Sequence, residues 1–424
     1  MNTEVNLPYG ETSLRLSIPG RFGCTVLEPR DMKSVRDPYA ALRTSMLKPI
    51  GSESLLGLAE GSRNPCIIVS DSTRPTPSGL ITEAALNVLN QAGVPDERVK
   101  VVVATGLHRP CTDAELLEMM GAALLKRVKI INHSARDRGS VEYIGDTTFG
   151  TPVWVNREVL DSDLVIGDGY IEPHFFAGYT GGGKNILPGV SGLETIKANH
   201  GAEMIDHPKA RAGVLDGNPI YMDIVEGARM TGYHFSVNVT LNSMKKLSGV
   251  FAGDFEEAHL EGCSFLEGYV GVKTEPADIV VTTNGGYPLD RDLYQAVKGM
   301  TVGEACVKEG GIIVVASECR DGVGHPEFRR LVEESRSPGE ILETVRSPGF
   351  FMIDQWQAQT LARVLQRAQV ICVTGGVEAD EVRKMLLTPS RSLDDAMKMA
   401  LDAVGRAPEI SIIPGGPSTI PLLE

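Results

Sequence analysis

NPCIIVSDSTRPTPSGLITEAALNVLNQAGVPDERVKVVVATGLHRP, residues 64–110, is the stretch that decides the fold. Cys66–Val69 is a short unbroken apolar run that stops in polar turn residues. Residues 81–94 then place apolar side chains at helical spacing and end on a glycine stop. Val99–Val103 repeats the apolar run and again opens into a polar loop. Strands without polar alternation are covered on both faces, as in a parallel sheet sandwiched between helices. Ligands of such sheets collect outside the carboxyl ends of the strands, so the polar loops after Val69 and Val103 are expected there.

The scheme continues outward. Residues 112–127 form a helix opened by Thr112, with Glu115 three residues on, the pattern of a capping box. VKIINHSA and LDSDLVIGDGYI supply a third and a fourth strand. Upstream, Leu14, Leu16 and Ile18 alternate with Ser13, Arg15 and Ser17 until Pro19, an edge strand or hairpin arm. HFSVNVTLN, KKLSGVFAG and DFEEAHLEGCSFLEGYVG, within residues 201–272, add two strands and a helix that close the first domain. Near residue 273 the pattern restarts with PADIVVTTNGGYP, LYQAVKGMTVGEACV, EGGIIVVASECRDG and QVICVTGG. The expected fold class is therefore α/β: two α/β domains with largely parallel sheets covered by helices, and an active site in the cleft between them. The first domain is expected over 1–272 and the second over 273–404, with the tail, 405–424, packing back on the first.

The chain has 424 residues, enough for two or three domains, and an ordinary globular composition with 42% hydrophobic and 23% charged residues. Forty-one basic against 55 acidic residues leave a net charge of −14. Such a chain is a poor nucleic-acid binder, because that affinity needs clustered Lys and Arg. No run of about 18 apolar residues suggests a membrane span, and the start lacks the basic and apolar regions of a secretory signal. Seven scattered cysteines without a CxxC pair read as reduced thiols in a cytoplasmic protein and exclude thiolate zinc and iron–sulfur sites.

Four clusters carry chemistry. Residues 163–200 hold His174, Lys184 and His200, with Gly181, Gly182 and Gly183 just before the lysine, where another group can approach the backbone closely. The plain alternative is a surface turn with a solvated lysine. GYTGGGKN, residues 178–185, is one residue from a phosphate loop, but Asn185 lacks the magnesium-binding hydroxyl and Pro188–Gly189 interrupt the helix that should follow. Asp71 and Arg74 end the first strand; the arginine suits a carboxylate or phosphate, and the two could also simply pair with each other. His108 follows the second strand directly, and His108 and His174 in strand-end loops of one sheet could flank a substrate as an acid/base pair. His133 reads as structural, and His207, His234, His259 and His325 lack supporting context. In the second domain Tyr294, Gln295 and Lys298 share one helix face and could meet an anion, or form an ordinary solvated face; Trp356 reads by default as core.

The combination DSTRPTP, ATGLHRP, EPHFFAGYTGGGKNILPG, ETIKANH and LYQAVKGM, spread in order over residues 71–300, resembles the lactate racemase family. The resemblance implies an isomerase that uses a nickel-pincer nucleotide, a pyridinium mononucleotide whose thioamide and thiocarboxylate (pyridinium-3-thioamide-5-thiocarboxylic acid) grip nickel. Carried over residue by residue, Lys184 forms the thioamide and so joins the nickel site. His200 completes the square-planar nickel, and His108 and His174 are the acid/base pair. Arg74 and Lys298 anchor the substrate carboxylate. Asp71, Tyr294, Gln295, Trp356, Gly182 and Gly183 line the cofactor. The implied reaction inverts C2 of a small 2-hydroxy acid by hydride loss to the cofactor and return to the opposite face. The implied partners are the substrate and, transiently, proteins that make the cofactor and insert nickel, with no nucleic acid and no membrane. Malate or another larger 2-hydroxy acid is the alternative substrate, with Phe175 and Phe176 beside His174 able to limit pocket size. A three-histidine zinc hydrolase built on His108, His174 and His200, and a nucleotide binder without turnover, are the competing classes.

Overall fold

A computed structural model of the chain describes residues 2–405 and 407–423. The chain divides into two compact units, residues 31–268 and residues 1–30 with 269–424.

The unit of residues 31–268 is built on a six-stranded sheet. In spatial order its strands are Leu247–Gly253, Phe235–Leu241, Leu164–Tyr170, Pro65–Ser70, Lys100–Ala104 and Lys129–Asn132. All neighbours run parallel except the first two, which form an antiparallel pair. Side chains alternate along a strand, and here both faces are covered. Ile67, Val69, Val101 and Val103 pack with helix residues Ile81, Ala85, Val88 and Leu89 on one side. Cys66, Ile68 and Val102 pack with Val153, Ile186, Val190 and Tyr233 on the other. This is why the strands read as continuous apolar runs. Each fully buried aliphatic side chain contributes roughly 1.5–3 kcal/mol. The expected helices form at Ser78–Gln91 and at Asp113–Leu124, where the Thr112–Glu115 capping box is present.

Numbered by sequence, the strands lie in the order 6-5-4-1-2-3. The order reverses between Pro65–Ser70 and Leu164–Tyr170, which run side by side in parallel. A crevice opens outside the carboxyl ends of strands at such a reversal, because the connections leave in opposite directions. The loops beginning at Asp71 and Ile171 flank it.

The other unit holds an all-parallel sheet in the order Thr388–Ser390, Gln369–Val373, Val307–Ala316, Ala277–Thr283, Glu409–Ile413, Gly23–Val26. An antiparallel hairpin, Thr3–Tyr9 with Thr12–Ile18, and the helix Leu393–Val404 cover one face through Leu7, Leu16, Ile18, Ala396 and Met397. Helices Leu293–Cys306 and Gln355–Arg367 also pack on the sheet and on each other.

The boundaries therefore differ from those expected. Residues 1–30 belong with the second sheet, and the tail forms an interior strand there instead of packing on the first unit; its Arg406 and Glu424 lie outside the described residues. Parallel partners need no short connection, so the pairing of Gly23–Val26 with Glu409–Ile413 leaves no local signature.

Candidate active site

Asp71 is the first residue after the strand Pro65–Ser70, and it is buried. Its Oδ2 lies 2.7 Å from Nδ1 of His108, and its Oδ1 accepts from the Thr73 hydroxyl at 2.5 Å and the Thr73 N–H at 3.2 Å. Burial alone would raise this carboxyl, but the bonds from His108 and Thr73 and the charge of Arg74 hold it below its ordinary value. Asp71 is thus an ionised acceptor that fixes the exposed His108 ring. Asp71 and Arg74 do not form a side-chain pair; Arg74 Nη1 instead bridges to Glu172 Oε1 at 2.9 Å. That bridge links the loops after the two strands at the reversal.

The loop after Leu164–Tyr170 is closely packed. Gly181 and Gly182 have φ of 87° and 55°, backbone that side-chain-bearing residues avoid. A Cβ on Gly182 would stand 2.6 Å from the His259 ring. The glycines serve this close approach to buried neighbours, a tighter arrangement than an open surface turn. The Gly182 N–H donates to Asn238 Oδ1 at 2.9 Å, and the Asn185 amide donates to Tyr233 Oη at 3.0 Å. Gly182–Asn185 is a single 3-10 turn with no α-helix after it, so the phosphate-loop reading fails in three dimensions as well.

Lys184 is half-buried, with Nζ 6.0 Å from the centre of the Phe176 ring. Burial, and then the positive charge of Arg74, pull its amine down from 10.5 to about 7. His200 caps the C-terminal end of the helix Leu193–Asn199. Burial, and then Lys184, lower it to about 3, so its imidazole is neutral. The Phe176 ring lies 5.0 Å from His200 and 4.5 Å from His174, so one aromatic side chain gathers His174, Lys184 and His200. Phe175 stacks on His174 at 5.0 Å. His174 Nδ1 accepts the Ala177 N–H at 3.2 Å. The helix bearing His200 is fixed by Asn199, whose amide donates to buried Asp223 at 2.7 Å; Thr147 and Thr151 donate to the same carboxylate.

The other unit presents its own cluster. Lys298 Nζ donates to Gln295 Oε1 at 2.7 Å, as their shared helix face required. Tyr294 is buried, and its hydroxyl turns to Asp354 Oδ1 at 3.0 Å while accepting from Trp356 Nε1 at 3.3 Å. Trp356 is core, as its default reading held, and it also touches a motif residue.

Several residues escaped sequence reasoning. Glu172 takes the bridge from Arg74. His259 supports the lysine loop, with Nε2 at 2.9 Å from the Thr180 carbonyl. His325 Nδ1 lies 2.7 Å from Asp354 Oδ2, and the His325 ring stacks on Tyr294 at 3.6 Å. Glu172 opens the EPHFFAGYTGGGKNILPG motif, whereas His259 and His325 lie in none and only tertiary contacts reveal them. His133 is structural as read: it bonds the Ser191 carbonyl and Asn156, and burial lowers it to about 4. Among the described residues no three His, Cys, Asp or Glu side chains are grouped to hold a metal by themselves, which removes the geometry a three-histidine zinc site needs. Among them, too, no helix is long and apolar enough to cross a membrane.

The site defines an α/β protein with a doubly wound sheet, whose strand-end loops carry the His108–Asp71 pair and the Arg74–Glu172 bridge. A family profile for the lactate racemase N-terminal domain matches residues 9–213, and one for the lactate racemase C-terminal domain matches residues 272–420. The chain is 39% identical over 420 residues to a lactate racemase of Thermoanaerobacterium thermosaccharolyticum, covering 98% of each. It is 39% identical over 416 residues to a lactate racemase of Lactiplantibacillus plantarum, covering 97% of this chain and 98% of that one. The solved apoprotein of the Thermoanaerobacterium enzyme superposes with a TM-score of 0.93 at 38% identity, over 99% of this chain and 100% of that one. A Thermotoga maritima protein shares the fold alone, at a TM-score of 0.65 and 19% identity, over 88% of this chain and 98% of that one. The chain belongs to the lactate racemase family and is an isomerase.

Proposed function

We propose that the protein inverts C2 of a small 2-hydroxy acid, lactate being the favoured substrate, with a lysine-tethered nickel-pincer nucleotide as cofactor. The observation that supports the reading is that Phe176 gathers His174, Lys184 and His200 while Arg74 bridges to Glu172, two residues before His174, and Asp71 holds His108. The donor set fits the cofactor. A primary amine lowered to about 7 has a sizeable neutral, nucleophilic fraction near neutral pH, as an acyl-type linkage requires. A neutral imidazole at His200 has a lone pair to offer nickel. Lys184 and His200 would hold the group, which when bound supplies a reversible acceptor for the C2 hydrogen with its electron pair.

This chain's residues do the rest. Ionised Asp71 takes the Nδ1–H of His108, which leaves the lone pair of Nε2 to receive a hydroxyl proton. His174 Nδ1 accepts a backbone N–H, so its neutral ring carries its hydrogen on Nε2, where it would hydrogen-bond the substrate oxygen. The proton count balances when one histidine starts neutral and the other protonated: the neutral ring takes the hydroxyl proton, the protonated ring returns one to the new alcohol oxygen, and the two exchange roles for the mirror-image substrate. The Arg74 fork keeps donors beyond its Glu172 bond and would hold the carboxylate. Phe175 and Phe176 around His174 favour a methyl-sized substituent over a larger one.

The test is protein made beside the cofactor-synthesis enzymes. The expected result is a mass gain localised to Lys184, nickel in proportion to it, and conversion of either lactate enantiomer to a racemic mixture. Loaded protein that racemises none of a panel of chiral 2-hydroxy acids would overturn the proposal. Racemisation of malate but not lactate would overturn the substrate choice alone.

A further inference from the structure

We propose that His259 is a positioning residue that sets the place of the Lys184 amine through the glycine run before it; this rests on the reading above, in which that amine takes the cofactor. Lys184 hangs from its own loop. Its N–H donates to the Gly181 carbonyl at 3.2 Å, and its carbonyl accepts the Gly189 N–H at 3.0 Å. The place of Gly181 therefore decides where the lysine side chain starts. A run of three glycines has the widest conformational freedom of any sequence, so it does not hold one shape by itself. Its shape is imposed from outside, by side chains of the same compact unit.

His259 lies in the first turn of the helix Glu257–Val270 and is buried. Its Nε2 donates at 2.9 Å to the Thr180 carbonyl, in the peptide that joins Thr180 to Gly181. Asn238 Oδ1 accepts the Gly182 N–H at 2.9 Å, in the peptide that joins Gly181 to Gly182. Two successive peptides are thus gripped by side chains from a helix and from the strand Phe235–Leu241. The His259 ring also fills the space over the run: a Cβ on Gly182 would stand 2.6 Å from it, and one on Gly181 3.4 Å. The ring is itself held, with Tyr221 stacked at 5.9 Å and the Cys263 thiol, one helical turn on, 3.3 Å from Nε2.

Burial, opposed by the Thr180 bond and reinforced by the charge of Lys184, lowers the His259 imidazole to about 4, so it is neutral with its hydrogen on Nε2. Nδ1 then keeps a lone pair that has no partner among the described residues. An apolar side chain would occupy the same space without leaving a buried nitrogen unpaired. What the imidazole adds is a donor aimed at one carbonyl of the lysine loop and an edge that only glycine can approach so closely.

The first readout needs no cofactor. A small acylating reagent on apoprotein at pH 9, where an amine near 7 is neutral, reports how freely Lys184 is reached. Lys100, a buried lysine paired with Glu158, reports general loosening of the fold. His259→Leu keeps bulk against Gly182 and removes the donor. His259→Asn keeps an amide too short to reach Thr180, and His259→Gln places an amide N–H where Nε2 stood. The expected result is that His259→Leu and His259→Asn raise the Lys184 acylation rate roughly threefold or more, with the Lys100 rate at the parent value, and that His259→Gln returns Lys184 to the parent rate. In protein made beside the cofactor-synthesis enzymes, His259→Leu should lower kcat roughly tenfold and leave KM near the parent value, because the lysine carries the cofactor and not the substrate. His259→Gln should restore it. If the leucine variant does not fold, the asparagine variant answers the same question. Parent-like Lys184 rates in both variants would overturn the proposal. So would equal acceleration of Lys184 and Lys100, or a failure of glutamine to rescue. A selective, glutamine-rescued rise in a protein whose Lys184 gains no mass beside the cofactor-synthesis enzymes would uphold the positioning by His259 and overturn the cofactor reading instead.

Discussion

Asp168 offers a prediction whose size follows from the structure. It lies on the strand Leu164–Tyr170 and is fully buried. Oδ1 accepts from the backbone N–H and the hydroxyl of Ser70, each at 2.8 Å, and the Ser78 hydroxyl also acts on the carboxyl. Burial pushes the carboxyl up from 3.8 to about 6, against the pull of its hydrogen bonds. The sign follows from proton counting. Between those two values the folded protein holds a proton that the unfolded chain has released, so this site's contribution to stability falls as pH rises through that window. Above about pH 7 the loss is complete, at about 3 kcal/mol.

Asp168→Asn keeps an acceptor for Ser70 and removes the ionisation. The new amide N–H needs a partner, and its cost of roughly 1–3 kcal/mol is the same at every pH. The variant's stability relative to the parent should therefore improve by about 2 kcal/mol on going from pH 4.5 to pH 8, whatever its absolute value. Urea midpoints at five pH values across this range, with both proteins followed through the same transition, measure the trend. A difference between variant and parent that stays constant with pH would refute the assignment of a buried carboxyl.

Three further outcomes are expected. Lys184, with its amine near 7, should react with a small acylating reagent on apoprotein at pH 8 with a midpoint well below that of the surface lysines, measured by competitive labelling and peptide mass; a shared midpoint would contradict its burial beside Arg74. Gly182→Ala, which forces a Cβ to 2.6 Å from His259 at φ 55°, should lower stability by about 2–4 kcal/mol, read from the urea midpoint, and an unperturbed protein would show that the loop is looser than described. Asp71→Asn should leave the fold intact and lower kcat of loaded enzyme roughly 10²–10⁴-fold, because the His108 ring loses the anion that sets its tautomer; wild-type kcat would remove the pair from the reaction.

Local pattern carried far in this chain, and its failures share one physical origin. Runs such as Cys66–Val69 are apolar without alternation because alternate residues enter two different cores, and that alone implied a covered parallel sheet. His108 and His174 stood out because each follows a strand, and strand ends at a reversal are where side chains converge. What stayed hidden depends on partners far along the chain. Gly23–Val26 finds its sheet only through Glu409–Ile413. Gly181–Gly183 looked like room for an outside group, whereas His259 and Asn238, more than 50 residues away, already stand against Gly181 and Gly182. His325 and Asp354 sit 29 residues apart in stretches without any motif, and each occupies a position where sequence alone would assign a helix cap. A motif therefore marks where a reacting group stands. The residues that hold it in place can be anywhere the fold delivers them.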